Sequence, residues 1–362
     1  MANSSTNENV ISKTDVKPGD ILLYVLQEKP EFKEWTKENL LSNFGMLVDM
    51  LIIFAEDSMC THAALAAQEP DSVIESTMPY VRYRSPIYSS GYHISVRRVP
   101  DGKDGSIVLK YLPPVSKGTP VDNAPYAYSQ AVLASLFCIF RRQGMSNPIL
   151  RESTLLFLKL LLYPLAAWLD SIIPAVQGKT TAYFCSQLVG DCYDKAAVHD
   201  SPGFRLHCPD SGSAGDRLID WLLEHKPDEN RLCAAAAVRT GTSMDISPEA
   251  PEIICAALSL LDKLNPEKNV TMGSHLQSPL LQTGIHSTAY IQTLQAVKMQ
   301  KADDTAAEIL GLLMRIVKSL GFDVSPDTIA DDLLKFQAAF IMPCDLYEET
   351  SMLHIGEIID GR

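Results

Sequence analysis

Three side chains far apart in this chain have the types needed for one reaction. Cys185 lies in Tyr183-Phe184-Cys185-Ser186-Gln187-Leu188-Val189. Leu188, Val189, Cys192 and Tyr193 recur at helical spacing after it. That spacing puts the thiol at or just inside a helix N-terminus, where unpaired N–H groups and the helix dipole favour a thiolate. A thiolate nucleophile needs a base that is remote in sequence and near in space. His62 is a candidate base, and Glu75, thirteen residues on, is a candidate acceptor to fix the imidazole tautomer and raise its basicity.

Each residue also has a plainer reading. A free cysteine is usually a small buried residue, a histidine is often a satisfied structural group, and a strand glutamate is often solvated. A zinc reading would draw on Cys60 and His62 with Cys185 or Cys192, but the spacing matches no common zinc pattern. The candidate site is Cys185, His62 and Glu75, with no metal and no cofactor expected, and on residue type alone the plainer readings stay open.

The elements that must position these groups follow from local pattern. Lys17-Pro18-Gly19-Asp20 is a turn signature, and Ile21-Leu22-Leu23-Tyr24 behind it has strand length. Cys60 to Ala67 and Ser72 to Ser76, joined by Gln68-Glu69-Pro70-Asp71, read as a hairpin. Regular alternation would put Cys60, His62 and Ala64 on one face, with Glu75 able to reach the imidazole from the neighbouring strand. His93 to Val99 is a further strand candidate, and 126–142 and 216–225 read as helices. Ser325-Pro326-Asp327 is a helix start, with the serine as N-cap.

Two segments are strongly apolar, 44–55 and 154–176. The first is too short to span a bilayer, and the second is broken by Lys159, Pro164, Asp170 and Pro174. Core helices are the plain reading of both, and a lipid-facing surface is the sharper one. The net charge of −13 and the lack of a Lys/Arg stripe argue against a nucleic-acid partner. The N-terminus has no apolar core of a signal peptide, so the eight cysteines are expected to be reduced thiols made in the cytoplasm. The organisation expected is a flexible lead-in over 1–15, an α+β domain over 16–228 carrying an apolar helical insertion around 151–177, and an α-helical accessory region over 229–362.

Taken together, the turn-and-strand run 17–24, Thr61-His62-Ala63-Ala64-Leu65, Val73-Ile74-Glu75-Ser76 and the Cys185 motif resemble the circularly permuted branch of the NlpC-type papain-like superfamily. That branch includes the lecithin:retinol acyltransferase-like proteins. Its histidine strand precedes its cysteine helix, as here. Segments 120–128 and His207-Cys208-Pro209-Asp210 add to the likeness, which covers roughly 16–225. The resemblance implies a small antiparallel sheet packed on helices, with Cys185 as nucleophile, His62 as general base and then acid, and Glu75 as orienter. The N–H of Cys185 would be one oxyanion donor; the second is unassigned, with Tyr24 the one candidate.

A lipid acyl hydrolase or acyltransferase is the first expectation, because the branch contains such enzymes and apolar segments flank the motifs. A peptidase or amidase acting on peptidoglycan is the second, and a non-catalytic binding protein the third. The lead partner is thus a lipid or membrane-surface substrate, with a partner protein or inhibitor open to the C-terminal region. An envelope substrate would require a dedicated export route, and a delivered antibacterial toxin is consistent with that.

Overall fold

A computed structural model describes residues 9–28, 52–53, 58–77, 79–88, 90–100, 102–117, 183–207, 216–228, 302–319, 324–329 and 341–359, with 123–124, 127, 134, 139–141, 145–146, 151, 154–155, 158, 162, 230–232 and 234. The fold is mixed α/β. Its centre is a six-stranded sheet of β1 (Ile21–Leu26), β2 (Cys60–Ala66), β3 (Val73–Thr77), β4 (Tyr80–Arg84), β5 (Tyr92–Arg98) and β6 (Leu353–Ile359) in the order β4-β3-β2-β1-β5-β6. Each pairing is antiparallel.

Both sheet faces are covered, which is why β1 reads as a continuous apolar run rather than an alternating one. Leu22 and Tyr24 pack on one side with Ala64, Ala66, Val73, Ile94 and Val96. Ile21, Leu23 and Val25 pack on the other with Ala63, Leu65, Ile74 and the helix α1 (Cys185–His199). Three hydrogen bonds pin α1 and its approach. Tyr193 donates its hydroxyl to Gly19 O at 2.8 Å, Ser186 to Ile341 O at 2.6 Å, and Ser76 to Tyr183 O at 2.6 Å. The helix start is thereby held against β3 and its body against the turn before β1.

That turn needs its glycine. Gly19 has φ +85°, and an added Cβ would lie 2.0 Å from the carbonyl oxygen of Gly105. Only glycine meets both the left-handed backbone and the close approach. Asp20 N donates to Lys17 O across the turn at 3.0 Å.

Four expectations change. The pair β4 and β6 was not foreseen, and β6 corrects the picture of an all-helical 229–362. Helices α3 (Ala302–Ser319) and α4 (Pro343–Tyr347) are present, but the chain then returns to the sheet beside β5. The lead-in is not loose to residue 15. From residue 9 it lies along β6, with Ile11 N donating to Glu357 O, and Lys13–Asp15 form a 3-10 turn closed by a Ser12–Asp15 capping box. Finally, Cys60 does not share a face with His62 and Ala64. The register runs Tyr24↔His62 and then Val25↔Cys60, skipping Thr61, a bulge that turns Cys60 toward the helix side.

The short helix α2 (Leu218–Glu224) buries Leu218, Ile219, Trp221 and Leu222. Ser325 accepts from Thr328 N at 3.4 Å, the capping contact expected there. Within the apolar segments, Ile52, Ile53, Thr154, Leu155, Leu158 and Leu162 are helical and buried. The rest of 44–55 and 154–176, most of 126–142, and Cys208-Pro209-Asp210 lie outside the described residues. Among the described residues no helix is long and apolar enough to cross a membrane.

Candidate active site

The three sequence-derived residues come together. His62 stands at the bulge on β2, and Glu75 on β3 is one diagonal step away, since β3 pairs Glu75 with Ala64. His62 Nε2 lies 2.9 Å from Glu75 Oε2. Cys185 lies close enough to the same imidazole to raise its affinity for a proton. Nε2 is engaged by the carboxylate, which leaves Nδ1 as the nitrogen to serve the sulfur.

Cys185 opens α1, preceded by Phe184 as N-cap in extended backbone with no side-chain capping bond. The first-turn N–H groups are therefore not taken by a cap. Cys185 is 8% exposed and counts among the buried residues.

Electrostatics follow from burial and from the company each group keeps. Burial alone would lower the basicity of His62. Cys185 and then Glu75, which accepts from the ring, outweigh it and push the imidazole up to about 10. Burial would likewise raise Glu75, but His62 and then Arg82 hold its carboxyl down to about 2. The histidine is thus held as imidazolium at neutral pH, facing the ionised Glu75.

Two arginines that the sequence reading missed complete the acid end. On β4, Arg82 is in register with Glu75, and its Nε donates to Glu75 Oε1 at 2.9 Å. Arg84 NH1 reaches the same oxygen at 3.3 Å. One buried carboxylate therefore uses Oε2 to orient His62 and Oε1 to hold two guanidinium groups. No local signal marks them, because Tyr80–Arg84 is a polar segment that becomes a strand only by pairing with β3.

Tyr24 is the remaining first-strand group at the site. It faces His62 in register, with ring centroids 5.2 Å apart. Its hydroxyl is buried and has no hydrogen-bond partner among the described residues. Burial, and then the negative charge of Glu75, push the phenol well above its ordinary value, so it remains a donor. An orphaned buried hydroxyl costs about 1–3 kcal/mol, and such groups cluster where a ligand supplies the missing partner.

Cys60, Cys185, Cys192 and Cys344 are buried thiols outside any disulfide. Burial, and then nearby Cys185, raise Cys60 far above the usual thiol range, which marks it as a packing residue. No group of three or more His, Cys, Asp or Glu side chains among the described residues is arranged to hold a metal ion. The sequence matches no family model, no curated protein and no solved structure.

Proposed function

We propose that this chain is a cysteine-dependent acyl hydrolase or acyltransferase, built like the permuted NlpC-type papain-like enzymes and acting on a lipid ester. The observation that carries the chemistry is the hydrogen-bonded pair of His62 and Glu75 beside Cys185 at the start of α1. The lipid as substrate is supported by the resemblance and by the apolar segments at 44–55 and 154–176.

The Cys185 thiolate attacks the ester carbonyl, forming the C–S bond and a tetrahedral oxyanion. The backbone N–H of Cys185 and the hydroxyl of Tyr24 donate to that oxygen. His62 gives its proton to the departing alcohol as the C–O bond breaks, leaving an acyl-thioester on Cys185. Water, or an acceptor alcohol or amine, then loses a proton to His62 as it attacks the thioester. The thiolate leaves, and the imidazolium is restored. Glu75 keeps the ring oriented throughout and stabilises its charged form without itself taking the proton.

The test incubates the protein and its Cys185→Ala form with phospholipid vesicles and, separately, with purified peptidoglycan. Fatty acid released by the parent alone supports this reading. Muropeptide release would reassign the same site to a cell-wall peptidase, and no Cys185-dependent product from either would favour a binding protein.

A further inference from the structure

On the far side of Glu75 from His62 the surface opens into a cleft of about 330 Å³, lined by Lys13, Arg84, Ser85, Ile87, Tyr88 and Ser90 among others. Arg84 is common to both places: one guanidinium nitrogen contacts Glu75 Oε1, and the side chain also forms a wall of the cleft. We infer that this cleft is a phosphate-binding site, taking a headgroup phosphate of the lipid surface on which the enzyme works.

Both cations of the cleft retain donors. Lys13 Nζ gives one hydrogen bond to Ile87 O, at 2.7 Å, and an ammonium has three protons. Arg84 makes one long contact to a carboxylate oxygen already held more closely by Arg82. Its planar fork suits the paired oxygens of a phosphate. The nearby acids are occupied: Asp71 accepts from Ile87 N at 3.0 Å, and Asp15 from Ser12 N at 2.8 Å. Lys13 is fixed by its capped 3-10 turn, so one wall of the cleft is rigid.

A lipid headgroup fits better than a free anion because of Tyr88. It is 46% exposed and lies under Arg84, whose guanidinium carbon is 4.6 Å from the ring centroid. A ring with a polar tip beside two cations suits the headgroup layer of a bilayer. The chain carries −13 overall, so anions are drawn here by short-range contacts rather than by a general field. The cleft lies beyond the acid end of the relay, so its occupant is a neighbouring lipid and not the ester under attack.

This inference rests on the lipid reading above, and the two can be tested apart. The full chain carrying Cys185→Ala, which cannot turn lipid over, is sedimented with vesicles of phosphatidylglycerol and with vesicles of uncharged digalactosyldiacylglycerol. The expected result is binding to the first alone, weakened by added salt and by inorganic phosphate. Lys13→Met should weaken it about fivefold, taking one cation at a charged surface as the unit. Lys13→Glu should weaken it further, and Lys13→Arg should preserve it, which separates charge from folding. Equal binding to both vesicles, or binding indifferent to Lys13→Met, overturns the site. Phosphate binding without vesicle binding overturns the lipid headgroup as occupant. Turnover of an uncharged short-chain ester by the chain with Cys185 intact, and by Lys13→Met equally, reports on the catalytic residues alone. Its absence alongside intact vesicle binding would sink the hydrolase reading and leave the cleft standing.

Discussion

His62 Nε2 and Glu75 Oε2 sit 2.9 Å apart on a carboxylate 1% exposed, and the opposite oxygen of that carboxylate is shared by Arg82 and Arg84. A single side chain therefore orients the base and balances three cations. Changes at Glu75 should register in both rate and stability.

Glu75→Gln keeps the shape and removes the charge. It leaves Arg82 and Arg84 facing a neutral amide and His62 without an anionic acceptor. The loss of Cys185-dependent activity should be large, on the order of the 10⁴ seen when a triad acid becomes its amide. The stability cost should be about 1–3 kcal/mol, below the figure for sealed ion pairs, because the three cations keep 20–40% exposure. Denaturant titration and single-turnover acylation measure the two separately. Unchanged acylation would remove Glu75 from the site.

The same pair sets a pH window for stability. His62 is raised to about 10, above its unfolded value of about 6.5. Its contribution is fully present below pH 6.5 and is lost as pH rises through 10. Glu75 is lowered to about 2 from 4.5, so its contribution is present above pH 4.5 and is lost as pH falls through 2. Unfolding free energy from these two groups should thus be level between about pH 4.5 and 6.5 and decline on both sides. Glu75→Gln should remove the acid decline due to this carboxyl and shrink the alkaline one. Equal pH curves for the two forms would contradict the pairing.

Arg82 and Arg84 should be unequal. Arg82 is in register with Glu75 and approaches to 2.8 Å, against 3.3 Å for Arg84. Arg82→Ala should lower kcat more than Arg84→Ala and move the acid limb of the rate profile upward in pH, since less positive charge then holds Glu75 ionised. A merely structural arginine would change stability without moving that limb.

Tyr24→Phe separates stability from function. It removes a buried hydroxyl that has no partner among the described residues, so the fold should be as stable as the parent or slightly more so. Loss of one oxyanion donor should lower kcat about 10²–10³-fold. Thermal unfolding and the acylation rate give the comparison, and an unaffected rate would exclude the phenol as a donor.

Gly19→Ala tests the turn that seats α1. Its left-handed φ and the 2.0 Å approach to Gly105 O should make the change cost about 1–3 kcal/mol. Because Gly19 O accepts from Tyr193, acylation should fall with it. Wild-type stability would mean that the turn and Gly105 can move apart.

Several determinants were already visible in the residue order. The Pro-Gly turn, the apolar run of β1 and the β2–β3 hairpin are local signals, and the helix after Cys185 follows from its 3.6-residue period. They made Cys185, His62 and Glu75 candidates, because residue type and a short hairpin restrict which groups can meet. Tertiary structure decided the rest. Tyr80–Arg84 is a polar edge segment whose strand state depends on pairing with β3, so Arg82 and Arg84 could not be assigned to Glu75 in advance. Leu353–Ile359 ends a region whose sequence reads as helical and becomes β6 by pairing with β5. The bulge at Thr61, which separates the faces of Cys60 and His62, is a register offset against β1 and not a property of β2 alone. Local pattern sets which groups a strand or helix can present; strand pairing across large sequence separations sets which of them touch.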